Sequence, residues 1–287
     1  MKRPEILIAG GDMRQLYCAA RLSRDFEISV LGFDRERIPD DLDLKTADRS
    51  RAYSYDCAVL PVPPLNSEGN LFAPCSSSVI SIAAVEDMLA PDAVIYAGRA
   101  DDKLRKAMPD RVIYDYLLRE EMSLKNAIPT AEGAVQLALE ELPVTLNGLK
   151  VLIVGMGRIG TALAEILKGF GADITAAVHN SRGTAKARLH GIKSIPTSRL
   201  NGSFDLVFNT VPKLIFDDAM LSRFDKNTLF IDLASKPGGI DFESALGHGI
   251  KAIWALGLPG KTAPVTSGEI IAETVSSMIE ERGEAVE

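Results

Sequence analysis

Three glycines near the middle of the chain have the spacing of a phosphate-binding turn. Residues 151–160 read Val-Leu-Ile-Val-Gly-Met-Gly-Arg-Ile-Gly, which places Gly155, Gly157 and Gly160 in a GxGxxG motif directly after an apolar run. In this motif the first glycine permits a tight turn, the second lets a pyrophosphate approach backbone N–H groups, and the third lets helix and strand pack closely. The start of the following helix adds partial positive charge. The spacing predicts a dinucleotide-binding turn; a glycine turn without a ligand is the alternative.

The residues that follow the next predicted strand indicate which dinucleotide binds. An NAD site usually has a carboxylate about 20 residues after the glycines, where it accepts hydrogen bonds from the ribose 2′-hydroxyl. This chain has His179-Asn-Ser-Arg182 there, and the nearby Asp173 lies at the opposite end of the strand. Because an arginine pairs bidentately with a phosphate, Arg182 favours NADP over NAD. An ordinary surface arginine is the alternative.

Three loops follow later strands of the same predicted sheet, at residues 209–212, 232–239 and 257–264. Ligands of parallel sheets bind outside the carboxyl ends of the strands, so these loops are expected to face the ligand, although stiff connections would look similar. Lys236 and Lys261 are the candidate anchors for an anionic substrate. The residues expected to contact the dinucleotide are Gly155, Met156, Gly157, Arg158, Ile159, Gly160, Asn180, Ser181, Arg182, Thr210, Val211, Pro212, Ala234 and Ser235.

A different turn occupies the equivalent place near the start of the chain. Gly10-Gly-Asp-Met-Arg-Gln15 follows the first predicted strand but lacks a third glycine, so it is a poor dinucleotide site. Asp12 and Arg14 are expected to face a cleft between domains. An N-capping aspartate beside a surface arginine is the alternative.

These residues are positioned by an alternation of short apolar runs with helical patterns. Five runs precede an amphipathic helix over 131–142, which we expect to begin at Thr130 and to cross between domains, and a second series of runs follows it. The alternation is typical of an α/β fold with two doubly wound parallel sheets. We predict a flavodoxin-like domain over 1–130, a Rossmann domain over 131–266, and a last helix, 267–287, with a capping box at Thr266 that packs back on the first domain.

Composition and missing motifs exclude several classes of function. The chain has 287 residues, a formal net charge of −7 and three cysteines without metal spacing, which argue against nucleic-acid binding, a disulfide framework and a metal site. No signal sequence or membrane-length apolar stretch is visible, so a cytoplasmic location is expected. The chain contains no GxSxG, P-loop or HExxH motif, and its three histidines are placed as surface residues rather than as an acid/base. A hydride transfer that needs little acid/base help is favoured.

Taken together, these motifs resemble the A subunit of dipicolinate synthase from endospore-forming bacteria, over almost the whole chain. The stretches that carry the resemblance are Gly10–Gln15, Asn126–Gly133, Gly155–Gly160, Phe208–Pro212, Ile231–Gly239 and Gly257–Pro264.

The resemblance implies an arrangement like that of formate and glycerate dehydrogenases and an enzyme that oxidises dihydrodipicolinate to pyridine-2,6-dicarboxylate with NADP. It also implies a partner, the flavoprotein-like B subunit of dipicolinate synthase, a homo-oligomer, and a role in sporulation in the mother-cell cytoplasm. Arg14, Lys236 and Lys261 would then bind the two substrate carboxylates, and Asp12 would accept the ring proton. Two other functions stay open: a non-catalytic dinucleotide-binding regulatory subunit, and another NADP-linked dehydrogenase of small acids.

Overall fold

A computed structural model describes residues 3–48, 50, 52 and 54–284 and divides the chain into two compact units. The first unit contains the residues up to Asn126 and those from Ala263 onward, and the second contains Ala127–Thr262. The sequence placed the two boundaries four residues later, after 130 and after 266. Residues 285–287 of the predicted last helix lie outside the described part.

The first unit is built on a parallel sheet of six strands within the described residues. Its order is β3-β2-β1-β4-β5-β6, and without the two-residue strand β3 it is the flavodoxin order. The strands are β1 (Glu5–Ala9), β2 (Glu27–Leu31), β3 (Lys45–Thr46), β4 (Tyr55–Leu60), β5 (Leu89–Ala97) and β6 (Val112–Asp115).

The second unit repeats this arrangement with a second parallel sheet. Its order, β12-β11-β10-β7-β8-β9, places the first strand of the unit beside its second and its fourth, as in dinucleotide-binding sheets. In the described chain these strands are β7 (Lys150–Val154), β8 (Asp173–Val178), β9 (Lys193–Pro196), β10 (Leu206–Asn209), β11 (Leu229–Asp232) and β12 (Ala252–Trp254).

Apolar clusters cover both faces of each sheet, which explains why the strands are continuous apolar runs. Along β1, Ile6 and Ile8 belong to one cluster, whereas Leu7 and Ala9 belong to another. The residues of β7 divide between two further clusters in the same alternating way. Both sheets are therefore rigid frames whose carboxyl ends carry the loops of interest.

Ten α-helices connect the strands in the described residues, and none of them has the length and hydropathy to cross a bilayer. They are α1 (Met13–Leu22), α2 (Ile82–Glu86), α3 (Asp102–Ala107), α4 (Glu120–Glu141), α5 (Arg158–Gly169), α6 (Ser181–Leu189), α7 (Asp218–Leu221), α8 (Phe242–Gly247), α9 (Leu258–Thr262) and α10 (Pro264–Glu284).

The helix boundaries differ from the sequence prediction in three places. Helix α4 runs for 22 residues through Pro129 and begins well before Thr130, because one proline removes a single backbone hydrogen bond from a helix that is otherwise well packed. The predicted Gly/Pro-rich loop 257–264 contains α9. Helix α10 begins at Pro264, a residue type suited to the first helical position, so Thr266 lies inside the helix and is not its cap.

Helix α10 packs against α1 in the first unit. A Cβ atom on Gly268 would lie 2.4 Å from the carbonyl oxygen of Arg14, so the two backbones are in close contact. Ile271 and Val275 are buried in the same cluster as Leu16 of α1. The last helix therefore completes the core of the unit in which the chain begins.

Candidate dinucleotide-binding site

The glycine turn after β7 has the geometry that its spacing predicts. Gly155 has a φ of +93°, and a Cβ atom there would lie 2.6 Å from Thr210 Oγ1 and 2.8 Å from Val211 Cγ2. A Cβ atom on Gly160 would lie 2.0 Å from the carbonyl oxygen of Gly155. Only glycine fits at these two positions, because the φ of Gly155 is strained for any other residue and a side chain on Gly160 would meet a backbone atom.

Gly157 is different, since a Cβ atom there would meet nothing within 4 Å. It is the N-cap residue of α5 and, having no side chain, makes no capping hydrogen bond. The first N–H groups of a helix lack partners within it and attract anions. The turn thus combines a free approach over Gly157 with a helix N-terminus that carries no side-chain acceptor of its own, which fits a bound pyrophosphate.

The loops after β10 and β11 are joined by a buried polar pair that the sequence analysis did not include among the site residues. Asn209 and Asp232 are fully buried, and Asn209 Nδ2 donates to Asp232 Oδ1 at 2.8 Å. Asp232 also accepts the backbone N–H groups of Ala234, at 3.0 Å, and Gly239, at 2.7 Å. A polar residue that ends an otherwise apolar strand was the signal available in the sequence.

This pair brings three predicted segments to one edge of the second sheet. Thr210 Oγ1 donates to the carbonyl oxygen of Val154 at 2.8 Å, which places residues 210–211 against the glycine turn. Ala234 lies in the adjacent loop, where Trp254 Nε1 donates to its carbonyl oxygen at 3.0 Å. Ser235 and Lys236 are exposed on that loop.

The loop after β8 forms the start of α6. Asn180 caps this helix, because its Oδ1 accepts the N–H of Gly183 at 2.8 Å. Ser181 and Arg182 are exposed in the first turn of the helix. Asn180 therefore has a structural role, and the side chains of Ser181 and Arg182 are those of the 180–182 segment that could reach a ligand.

The remaining residues of the turn divide between core and surface. The side chain of Met156 is 6 % exposed and belongs to the core, and Ile159 packs against the same cluster. Arg158 and Pro212 are exposed. A dinucleotide at this turn would meet Met156 through its backbone rather than through its side chain.

Lys261 lies on α9. It lines a cavity of about 230 Å³ together with Trp254 and Glu140. Helix α9 contacts α4 closely, since a Cβ atom on Gly133 would lie 2.5 Å from Thr262 Oγ1. Two of the stretches singled out in the sequence, 126–133 and 257–264, thus meet as packed helices.

In the first unit Asp12 and Arg14 bind each other. Arg14 Nε donates to Asp12 Oδ1 and Arg14 Nη2 donates to Asp12 Oδ2, both at 2.8 Å. Asp12 also caps α1 by accepting the N–H of Arg14 at 3.1 Å. Burial lowers the pKa of Arg14, but the hydrogen bond and the charge of Asp12 outweigh it and leave that pKa raised. The arrangement is that of an N-capping aspartate paired with an arginine.

Thiol and phenol groups near the first sheet are held in their neutral forms. Burial raises the pKa of the Cys57 thiol to about 12 and also raises the pKa values of Cys18 and Cys75. Burial likewise raises the pKa of Tyr116, whose hydroxyl donates to the carbonyl oxygen of Leu60 at 2.9 Å. Across the described residues no group of three potential metal ligands comes together.

Family models and known proteins match both units. The model of the N-terminal domain of the dipicolinate synthase A subunit matches residues 5–116, and the NAD-binding domain of D-isomer-specific 2-hydroxyacid dehydrogenases matches residues 123–247. The A subunit of dipicolinate synthase from Bacillus subtilis (strain 168) is 31% identical over 285 residues, which are 96% of this chain and 96% of that protein. The chain belongs to the family of dipicolinate synthase A subunits.

Solved structures agree with this family membership. The crystal structure of the dipicolinate synthase A subunit from Bacillus halodurans superposes with a TM-score of 0.88 at 30% identity and covers 96% of this chain and 98% of its own. Transhydrogenase from Sinorhizobium meliloti shares the fold, with a TM-score of 0.76 at 16% identity over 98% of this chain and 95% of its own. The predicted family and fold class are confirmed, and the matched NAD-binding domain supports an oxidoreductase that uses a nicotinamide dinucleotide.

Proposed function

We propose that this member of the dipicolinate synthase A-subunit family oxidises dihydrodipicolinate to pyridine-2,6-dicarboxylate, with NADP as hydride acceptor. The observation that carries the proposal is the turn at Gly157, which is open to an approaching phosphate and precedes a helix without a side-chain cap. The Bacillus subtilis relative, named as this part of the synthase, supports the choice of reaction.

Arg182 supports NADP as the preferred coenzyme. It is exposed in the first turn of α6, and the segment 179–182 contains no carboxylate that would repel a 2′-phosphate. The guanidinium of Arg182 has no hydrogen-bond or ion-pair partner among the described residues. It is therefore available to pair bidentately with a phosphate.

The reaction requires the protein mainly to bind the substrate ring and to orient it. Oxidation removes one hydride and one proton from the dihydropyridine ring, and formation of the aromatic ring supplies the driving force. When bound, the nicotinamide accepts the hydride, and the protein has to hold the ring against it. Lys236, exposed on the loop that Asp232 orders, is proposed to hold a substrate carboxylate.

Asp12, Arg14 and Lys261 can take their proposed roles only if a further structural condition is met. Asp12 can accept the ring proton, and Arg14 can bind a carboxylate, only after their mutual ion pair opens. Lys261 belongs to the cavity beside Trp254, so its role as an anchor requires a substrate group to reach that cavity. Lys236 needs no such change, which makes it the first of the cations to test.

The wider setting is part of the same proposal. We propose that the partner is the flavoprotein-like B subunit of the synthase, that the chain forms a homo-oligomer, and that it acts in sporulation in the mother-cell cytoplasm. The Bacillus subtilis relative is named as the A subunit of its synthase, and that name supports a second polypeptide as partner.

The direct test supplies the purified chain with dihydrodipicolinate and NADP. We expect NADPH absorbance and pyridine-2,6-dicarboxylate to appear in equal amounts, since one hydride leaves for each ring formed. A chain that binds NADP tightly but forms neither product by itself would instead be a regulatory subunit, with the chemistry carried by its flavoprotein partner. Turnover of other small acids in preference to dihydrodipicolinate would assign it to a different dehydrogenase reaction.

Coenzyme preference is tested separately with Arg182→Ala. Loss of a charge-assisted phosphate pair should weaken NADP binding by about 10–100-fold and leave NAD binding unchanged. Arg188→Ala, an exposed arginine in the last turn of the same helix, is the matched control. Titration of each coenzyme measures both affinities, and tighter NAD binding that Arg182→Ala leaves unaltered would refute the NADP assignment.

A further inference from the structure

The side chain of Gln15 is the most unusual polar group in the first unit. Gln15 is 2 % exposed, and both its Nε2 and its Oε1 are buried without a hydrogen-bond partner among the described residues. Burying a side-chain amide in this way is unfavourable, and buried polar groups in folded proteins nearly always have partners. The Gln15 amide is therefore a candidate ligand-binding group.

Gln15 lies where parallel sheets bind ligands. A Cβ atom on Gly11 would be 2.3 Å from Gln15 Cγ and 2.9 Å from Pro61 Cβ, so the Gln15 side chain lies across the ends of β1 and β4. The chain leaves β1 toward β2 on one side, whereas β4 continues to β5 on the other, and ligands of parallel sheets bind at such a change of direction, outside the carboxyl ends of the strands.

The end of β5 lies next to the end of β4 at this edge of the first sheet. A Cβ atom on Gly98 would lie 2.0 Å from Val62 Cγ2 and 2.8 Å from Tyr116 Oη, which shows how closely the ends of β4 and β5 approach. Arg99 follows at once and is exposed. We call Gly11, Gln15, Pro61, Val62 and Arg99 the first-sheet crevice.

Arg99 is held in a backbone conformation that side chains rarely adopt. Its φ is +61°, and the conformation is maintained by Asp115, which accepts the N–H of Arg99 at 3.1 Å and that of Ala100 at 2.9 Å. Non-glycine residues in this region carry strain and are concentrated at functional sites. In the described chain no acceptor is recorded for the guanidinium of Arg99.

The charges around the crevice leave Arg99 as the group available to an anion. Asp12 is neutralised by Arg14 through two hydrogen bonds, and the Asp115 carboxylate is occupied by backbone N–H groups. Gln15 and Arg99 stand two strand spacings apart, roughly 10 Å between backbones. Both residues therefore belong to the same edge of the first sheet, where ligands of parallel sheets bind.

We propose that the first-sheet crevice is a carboxylate-binding site in which the Gln15 amide and the Arg99 guanidinium hold a carboxylate of the substrate. The choice of ligand rests on the proposed function, since pyridine-2,6-dicarboxylate and its dihydro precursor carry two carboxylates each. The amide N–H groups donate to one carboxylate oxygen, and the guanidinium forms a charge-assisted pair.

The test uses the full-length chain and pyridine-2,6-dicarboxylate as probe, with Gln15→Leu and Arg99→Gly as variants. Leucine removes the unpaired polar atoms, and glycine adopts a φ of +61° without strain, so both variants should melt at the same temperature as the unaltered chain or higher. Calorimetric titration should nevertheless show probe binding weakened by about 10–100-fold in each. Asn227→Leu, which changes an exposed asparagine whose side-chain amide donates to Asp225, is the control that should bind normally.

Each outcome decides the inference separately from the proposed function. Variants that bind the probe as tightly as the unaltered chain would overturn the crevice as a carboxylate site, even if NADPH forms normally. Weakened binding with no NADPH formation by the unaltered chain would support the crevice and contradict the proposed reaction. If Gln15→Leu fails to fold, the ¹⁵N resonance of the Gln15 side chain in the unaltered chain decides: it should shift when the probe is added, and an unchanged resonance would refute the contact.

Discussion

The two sheets of this protein have the same strand order but different turns after their first strands. Counting from the first strand of each unit, both follow the order 3-2-1-4-5-6. After β7 the third residue of the turn is Gly157, where a Cβ atom would meet nothing within 4 Å, whereas the third residue after β1 is Asp12, which carries a carboxylate at the start of α1. The order of strands therefore does not by itself make a dinucleotide site; the turn decides it.

The helices that follow the two turns differ in how their N-termini are capped. Helix α1 is capped by Asp12, whose carboxylate accepts the N–H of Arg14 and places a negative charge at the helix start. Helix α5 begins at Gly157 without a side-chain acceptor. One helix N-terminus is thus satisfied by its own sequence, and the other is left for a phosphate.

The largest expected effect comes from placing a methyl group in the open turn. Gly157→Ala should leave the melting temperature unchanged, because the added Cβ meets no atom, but should weaken coenzyme binding by more than about 100-fold, on the order expected when a pyrophosphate loses its close approach. Gly169→Ala, near the end of the same helix and equally free of contacts, is the control. Fluorescence titration and thermal melting measure the two effects.

Gly11→Ala is the counterpart in the first sheet and should have the opposite profile. Its φ of +97° and the 2.3 Å approach to Gln15 Cγ predict a loss of stability of about 1–3 kcal/mol, with coenzyme affinity unaltered. Coenzyme binding that depends on Gly11 but tolerates Gly157→Ala would invert the roles assigned to the two turns.

A smaller effect is expected at the carboxylates that order loops in each sheet. Asp232 is fully buried, so Asp232→Asn would set an amide N–H against a buried donor and cost about 1–3 kcal/mol, with weaker coenzyme binding. Asp115→Asn, at the end of β6, should cost less, because Asp115 is half-buried and water can replace the lost acceptor. Denaturant unfolding compares the two; equal losses would mean that burial does not separate these sites.

The smallest effect concerns a surface ion cluster that joins α10 to the start of α4. Arg119 hydrogen-bonds Glu121 and Glu281 and thereby lowers the pKa of both carboxyl groups. Groups with lowered pKa values stabilise the fold above their unfolded pKa, and this contribution is lost as the pH falls through the folded value. Arg119→Ala should lower the melting temperature by about 1–3 °C near neutral pH and by nothing in acid, at about pH 3.

In the second unit Glu165 offers a comparison, since its pKa is lowered by hydrogen bonds to Lys168 and His190. Glu165→Gln should show the same loss of effect at low pH. If either variant still melts below the unaltered chain in acid, the lost stability comes from packing rather than from charge.

Much of the frame could be predicted from the sequence, because each buried strand is a short apolar run between turn residues. Asp173 begins β8 and so lies at the end of the strand opposite His179–Arg182, as predicted, and the glycines of the second turn were predicted from their spacing alone. The course of α4 was not, because Pro129 signals a helix boundary locally and only the packing of the helix overrides that signal.

The parts of the site that were missed depend on neighbours in space rather than along the chain. Asn209 and Asp232 are 23 residues apart and meet because β10 and β11 pair in register. The packing of α9, which carries Lys261, on Gly133 of α4 also follows from no local sequence pattern. Likewise, that the Gln15 amide lacks a partner becomes visible only when the surrounding atoms are in place.

The segment 61–81 covers the turn after β1 in the first unit. The carbonyl oxygen of Phe72 accepts the N–H of Gly11 at 2.7 Å, and Leu71 covers Gly10. This segment therefore occupies the place at the turn where a ligand would bind. Because it is tethered at both ends, its effective concentration at the turn is in the millimolar range or above, which a free nucleotide must exceed to displace it. Each polypeptide should accordingly take up one equivalent of coenzyme, although it contains two sheets built to the same plan.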